Sequence, residues 1–151
     1  MHKNEKPMKA IISIFLLLIA FGAEGGNLTP STHATYVQAL QTADSFLWAW
    51  VNRDADAGRR LISHALSSKL QKDKGQEWFR DYMVGLSNPH HQSFEIASGQ
   101  EISSNRFSFP VTLYEHYTGE SKAFEYKSKI EVVQEGDSWR IDLLPITADN
   151  R

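Results

Sequence analysis

IEVVQEGDSWRIDLL, residues 130–144, decides the fold. Ile130 and Val132 alternate with Glu131 and Val133, a Glu-Gly-Asp turn follows, and Trp139, Ile141 and Leu143 then alternate with Arg140, Asp142 and Leu144. Two period-two runs around a short Gly-containing turn predict a β-hairpin. Gly136 supplies the positive φ that the turn demands. The phase puts Ile130, Val132, Trp139, Ile141 and Leu143 on one covered face, so Trp139 is expected in a core at the start of the last strand.

The same period extends backwards to His91. Phe94 and Ile96 alternate with Glu95 and Ala97, and Ser103-Ser104-Asn105 reads as a turn. Phe107, Phe109, Val111 and Leu113 then share one face, opposite Arg106, Ser108, Thr112, Tyr114 and His116. After a turn at Gly119-Glu120-Ser121, Phe124, Tyr126, Ser128, Ile130 and Val132 alternate with Glu125, Lys127, Lys129 and Glu131. Clean alternation with short turns predicts an antiparallel meander of about four strands, covered on one face and wet on the other. Pro110 falls mid-strand on the wet face, where its missing N–H predicts a bulge or an edge.

Upstream the period is helical. Tyr36, Leu40, Ala43, Leu47, Trp50 and Val51 form a stripe, flanked by Phe46 and Trp48, on a helix that Ser31 or Thr32 can cap. A second helix, capped by Asp54 or Asp56, carries Ala57, Leu61, Ala65 and Ile62, Leu66, Leu70, until QKDKG (residues 71–75) breaks the pattern. A third, short helix over residues 76–84 ends at Gly85, and Asn88-Pro89 marks a turn. Helices first and strands last give an α+β domain with the helices packed on one sheet face.

The first residues read differently. Lys3, Lys6 and Lys9 precede AIISIFLLLIA (residues 10–20) and the small residues Gly22, Ala23, Gly25 and Gly26. That is the pattern of a secretory signal peptide, and the apolar run is shorter than the ~20 residues of a spanning helix. The expected organisation is a signal peptide over 1–23, a loose segment over 24–30, one domain over 31–147 and a tail over 148–151, exported to the periplasm or beyond. Contact with a membrane is expected only through the signal segment, were it to stay uncleaved. The 151 residues include no cysteine, which removes disulfides, thiol nucleophiles, zinc–thiolate sites and a lipidated cysteine. Residues 1–23 carry three Lys and one Glu, leaving 13 basic against 17 acidic side chains, a net of about −4. No basic patch stands out, so nucleic acid is not an expected partner.

The order of elements, with FLWAWVNRDADAGRRLIS (residues 46–63) and the closing VVQEGDSWRIDLL (residues 132–144), resembles the nuclear transport factor 2-like superfamily, a cone-shaped α+β fold. The resemblance covers roughly residues 32–145. It implies a pocket between curved sheet and helices, which in the superfamily is catalytic in isomerases and dehydratases, a ligand or peptide site elsewhere, or filled. The superfamily also pairs sheet faces in homodimers. Its catalytic Asp, His and Tyr patterns find no residue-by-residue match here.

Candidate chemistry is therefore sparse. An acid–base site needs an ionisable group in an apolar setting. Glu115 continues the inward phase, with Tyr117 beyond it and Tyr126 as the other inward polar tip; they line a pocket mouth, or Glu115 is solvated past the core and Tyr126 is a core ring. His64, between Ile62 and Leu66, faces the pocket or borders the core. His90-His91 lacks carboxylates at ligand spacing, and no metal or other cofactor is expected. Trp48 lies off the main stripe, either exposed at a partner site or packed on the third helix. The outward face reads as a solvated set of charge pairs or a homodimer face. The expected function is an exported, non-catalytic binding or interaction domain, taking a small apolar ligand or a protein through the cone pocket or open sheet face. The alternatives are a small isomerase or dehydratase using Glu115, Tyr126 and His64, and an accessory domain of a cell-envelope system.

Overall fold

A computed structural model describes residues 30–85 and 91–147. The residues of the expected signal peptide and loose segment, the expected Asn88-Pro89 turn, His90 and the expected tail lie outside the described residues. Helices α1 (Pro30–Val51), α2 (Ala55–Leu61), α3 (His64–Lys74) and α4 (Trp78–Val84) precede strands β1 (His91–Ile96), β2 (Gln100–Ser103), β3 (Arg106–His116), β4 (Phe124–Glu135) and β5 (Ser138–Leu143). The sheet is antiparallel in the order β1-β3-β4-β5, with β2 also paired to β3. The helices pack on the concave face of this curled sheet, as expected for the α+β class.

Along α1, Ala39, Ala43, Phe46, Leu47 and Trp50 are buried, so the core stripe includes Phe46 rather than passing beside it. The helix begins at Pro30, slightly before the expected Ser31 or Thr32 cap. It ends as Arg53 turns left-handed at φ 56°. Asp54 then caps α2, its Oδ1 accepting from the Ala57 N–H at 2.8 Å.

The second helix is not continuous. Ile62 is extended and bridges Ile141 of β5, and Ser63 N–H donates to the Ile141 carbonyl at 2.8 Å. Ser63 Oγ caps α3 by accepting from Leu66 N–H at 2.9 Å. The helical spacing of Ile62, Leu66 and Leu70 conceals this, because these positions face the core on both sides of the break, whereas Ala65 of the expected stripe is exposed. Nor does QKDKG end the helix early: α3 runs to Lys74 and stops at Gly75 with φ 89°. The short helix α4 starts at Trp78 and ends at Gly85 with φ 81°.

Three details of the sheet depart from simple alternation. First, β2 is a fifth strand, exposed throughout, so no apolar period announces it. Second, Pro110 is neither bulged nor at an edge. It lies in central β3, paired to Lys129 on one side, and its carbonyl accepts from Ala97 N–H on the other. N–H and C=O of one strand residue point the same way, so the missing donor falls where β1 has ended and β2 has not begun. Third, a bulge in β5 sets Leu143 opposite Glu131 and Ile141 opposite Val132. The extra residue reverses the phase, and Leu144 rather than Leu143 packs against the core. The hairpin itself has Gly136 at φ 59° with Asp137 at negative φ, the pattern of a type II′ turn. Trp139 is 7% exposed and its ring lies 5.4 Å from Phe107, in the core as the phase requires.

Candidate functional site

Glu115 follows the inward phase of β3 past Leu113, and strand geometry turns its side chain into the cone. It is 1% exposed, not solvated. Register sets it opposite Phe124 in β4 and Gln92 in β1, with Tyr126 diagonal to it on the same face. Tyr117 donates its hydroxyl to Glu115 Oε2 at 3.0 Å, and Gln92 Nε2 approaches Oε1 at 3.5 Å. Tyr82 reaches the same region from α4: burial first, and the Glu115 charge second, push its hydroxyl well above the usual tyrosine range. Tyr126 is buried with these groups. A buried carboxylate among tyrosine hydroxyls is chemically able to exchange a proton with a bound molecule.

Access is a different matter. Beyond β5 the chain continues along β4 and reaches this region. Tyr82 OH donates to the Pro145 carbonyl at 3.0 Å, Ile146 N–H donates to Ser128 Oγ at 2.8 Å, and Thr147 is buried. Phe124, expected on the covered face, is 46% exposed and stands edge-on to Tyr117. The interior is filled by Trp50, Phe46, Met83, Phe107 and Phe109, all fully buried.

His64 does not join Glu115. It opens α3 with a 97% exposed side chain, its Nδ1 lying 2.9 Å from Glu135 and its N–H 3.1 Å from the same carboxylate. The interior therefore assembles Glu115 and Tyr126 and excludes His64. Sequence reading missed Tyr82 and Gln92; Tyr82 had its signal in the apolar stripe of α4, where a hydroxyl-bearing ring points at the sheet.

The outer sheet face carries a charge network. Arg106 bonds Glu131 at 3.1 Å and Asp142 at 2.6 Å, Lys129 bonds Glu131 at 2.7 Å, and Ser63 Oγ donates to Asp142 Oδ1 at 2.5 Å. Burial pushes the Asp142 carboxyl up, but hydrogen bonds from Ser63 and Arg106 and the charges of Arg106 and Lys69 outweigh it and hold the group below its ordinary range. Arg140 donates to the Arg60 carbonyl at the end of α2. These groups satisfy one another, as a wet sheet face does.

The apolar surface lies elsewhere. Trp48, on α1, is 53% exposed and stands edge-on to Phe94 of β1 at 5.4 Å. Beside them a groove of about 450 Å³ is lined by Leu40, Gln41, Asp44, Phe94 and Ile96. Trp48 is thus exposed beside the sheet rather than packed on α4.

No protein-family model matches the chain, and no curated protein does. Solved structures do. A protein of Novosphingobium aromaticivorans, provisionally assigned as a scytalone dehydratase, superposes with a TM-score of 0.54 at 11% identity over 79% of this chain and 89% of its own. A cystatin-like domain of unknown function from Nostoc punctiforme gives 0.54 at 8% identity over 76% and 75%. A nuclear transport factor 2-like superfamily protein of Salmonella enterica gives 0.52 at 10% identity over 80% and 96%. This chain has the nuclear transport factor 2-like fold. At these identities the likeness is one of fold, and within that cone fold the interior of the present chain is packed, with its carboxylate enclosed.

Proposed function

We propose that this chain is a non-catalytic binding domain that works through the side formed by α1 and β1, outside the cytoplasm after removal of residues 1–23. One observation carries the reading: the large, rigid Trp48 is held more than half exposed against Phe94 at the lip of an apolar groove. Exposing an indole to water is unfavourable, and such patches on a stable domain mark contact sites. The occupant is apolar and neutral or cationic where it passes Asp44. Fragment mapping by NMR tests this. Small neutral aromatic fragments are expected to shift the Trp48 indole and the Leu40 and Ile96 methyls. Trp48→Ala should abolish those shifts while changing stability by no more than about 0.5 kcal/mol. Fragments that ignore this side would refute the reading.

A second reading rests on Glu115. A carboxylate buried beside Tyr117 and electrically coupled to Tyr82 suits proton abstraction and water elimination, the reaction class suggested by the dehydratase-assigned structure of the same fold. It requires the segment over Tyr82 and Ser128 to move aside. Saturation of the Glu115 region by a hydroxylated carbonyl compound, lost in Glu115→Gln with the fold intact, would favour this reading over the first.

A further inference from the structure

Trp139 holds an unmet donor. The residue is 7% exposed, and its buried indole N–H has no partner among the described residues. An indole nitrogen can only donate, and a buried donor left unpaired is both uncommon and unfavourable. What the ring lacks is an acceptor oxygen brought from outside the chain.

The ring forms part of the wall of an open groove of about 350 Å³ between α1 and the β4–β5 hairpin. Gln38, Gln41, Thr42 and Ser45 line the helix side, at the three- and four-residue spacing that sets side chains on one helix face. Asp137, in the hairpin turn, and Arg140 line the hairpin side. Thr42 Oγ1 donates to the Gln38 carbonyl at 3.1 Å and keeps its lone pairs. Arg140 gives one Nη1–H to the Arg60 carbonyl and keeps its other donors. Donors and acceptors are thus interleaved around the groove, and its one negative side chain is balanced by its one positive side chain.

We propose that this groove binds a neutral saccharide, one of whose oxygens accepts from the Trp139 N–H. A sugar hydroxyl donates and accepts at once, which suits a wall that offers both and carries no net charge. Amide, carboxylate and guanidinium groups each present two polar atoms side by side, as neighbouring sugar hydroxyls require. An extended peptide interleaves donors and acceptors too, but its alternate side chains need pockets of their own, and the aliphatic member of this wall is Leu61 alone. Because the groove is open, a short oligosaccharide fits it better than an enclosed monosaccharide does. This site is separate from the α1–β1 groove, although Gln41 lines both. Trp48 stands beside one and Trp139 lines the other, so their indole signals report the two independently.

The test is an NMR titration of the full chain isolated from producing cells, with three neutral probes: maltotriose, cellotriose and the β-1,4-linked trimer of N-acetylglucosamine. At millimolar concentration at least one is expected to move the Trp139 indole N–H and the Ser45 and Arg140 amides, with the Trp48 indole in place. Trp139→Phe keeps an aromatic ring and removes the donor. It should stay folded by its melting curve and weaken that probe about tenfold, read from the Ser45 amide. Gln38→Ala and Asp137→Ala, at exposed positions, should each weaken it about threefold. Silence of all three probes overturns the proposal. So does binding that Trp139→Phe leaves unchanged, and so does triglycine amide moving the same signals as strongly, which would make the groove a peptide site. Apolar fragments that shift Trp48 while the sugars do nothing remove the saccharide site alone; sugars that shift Trp139 while fragments ignore Trp48 leave it standing without the α1–β1 site.

Discussion

Trp139 shows how much one ring carries. It packs against Phe107 at the start of β5, and its indole N–H finds no partner among the described residues. Trp139→Ala is expected to cost roughly 3–5 kcal/mol, read from chemical denaturation, because the cavity cannot collapse beneath β5. Trp139→Phe should cost less than about 1.5 kcal/mol, since no hydrogen bond is lost with the nitrogen; a near-zero cost for the alanine variant would move Trp139 out of the core. Gly99 is constrained by space rather than by its own chain. A Cβ there would meet the Phe109 ring at 2.3 Å, and its N–H donates to Tyr36 OH at 3.0 Å. Gly99→Ala should therefore lose about 1–3 kcal/mol, and a stabilised variant would contradict the packing. Asp142 gives the pH dependence. Its folded carboxyl is held below the unfolded value of about 3.9, so its contribution is complete above that pH and is lost as pH falls through the folded value. A melting series from about pH 6 to 2 should fall more gently in Asp142→Asn than in the parent; parallel curves would show that the Ser63–Arg106 network does not hold this proton off.

At the scale of elements, Ser63 is the joint between helices and sheet. It ends the extended link to Ile141, caps α3 and bonds Asp142. Ser63→Ala should cost about 1–2 kcal/mol by circular dichroism melts, and a cost below 0.5 would mean that the cap is idle. The joint also explains what could be read beforehand. The strands β3, β4 and β5 were legible because one face is dry and the other wet. Glu115, Tyr126 and the Trp139 hairpin followed from phase alone. The α2–α3 break was not, since the helical period persists across it; only the spacing from Ser63 to the Leu66 N–H, a capping distance, hinted at it. β2 has no buried residue to give a period. The β5 bulge left its mark only as the doubled leucine at 143 and 144, which period-two counting assigns to opposite faces in the wrong order. Glu115 was placed correctly in phase but its depth was not, because the Pro145–Thr147 crossing that covers it depends on long-range contacts to Tyr82 and Ser128.

For the whole molecule, the cone is a scaffold whose inside is closely packed and whose α1–β1 side is where the proposed binding would take place. The described interior packs twenty apolar side chains around a single enclosed carboxylate, and its seal is a hydrogen-bonded segment rather than an open mouth. The polar outer sheet face satisfies itself through Arg106, Glu131, Lys129 and Asp142. Among the described residues the α1–β1 side keeps an exposed indole and an apolar groove beside an edge strand that pairs only with β3. The most direct measurement is therefore NMR fragment mapping on the folded chain, following the Trp48 indole alongside the Glu115, Tyr82 and Tyr126 resonances. Shifts at Trp48, Leu40 and Ile96 with the interior unmoved are expected; shifts confined to Glu115, Tyr82 and Tyr126 would instead make the cone interior the working site.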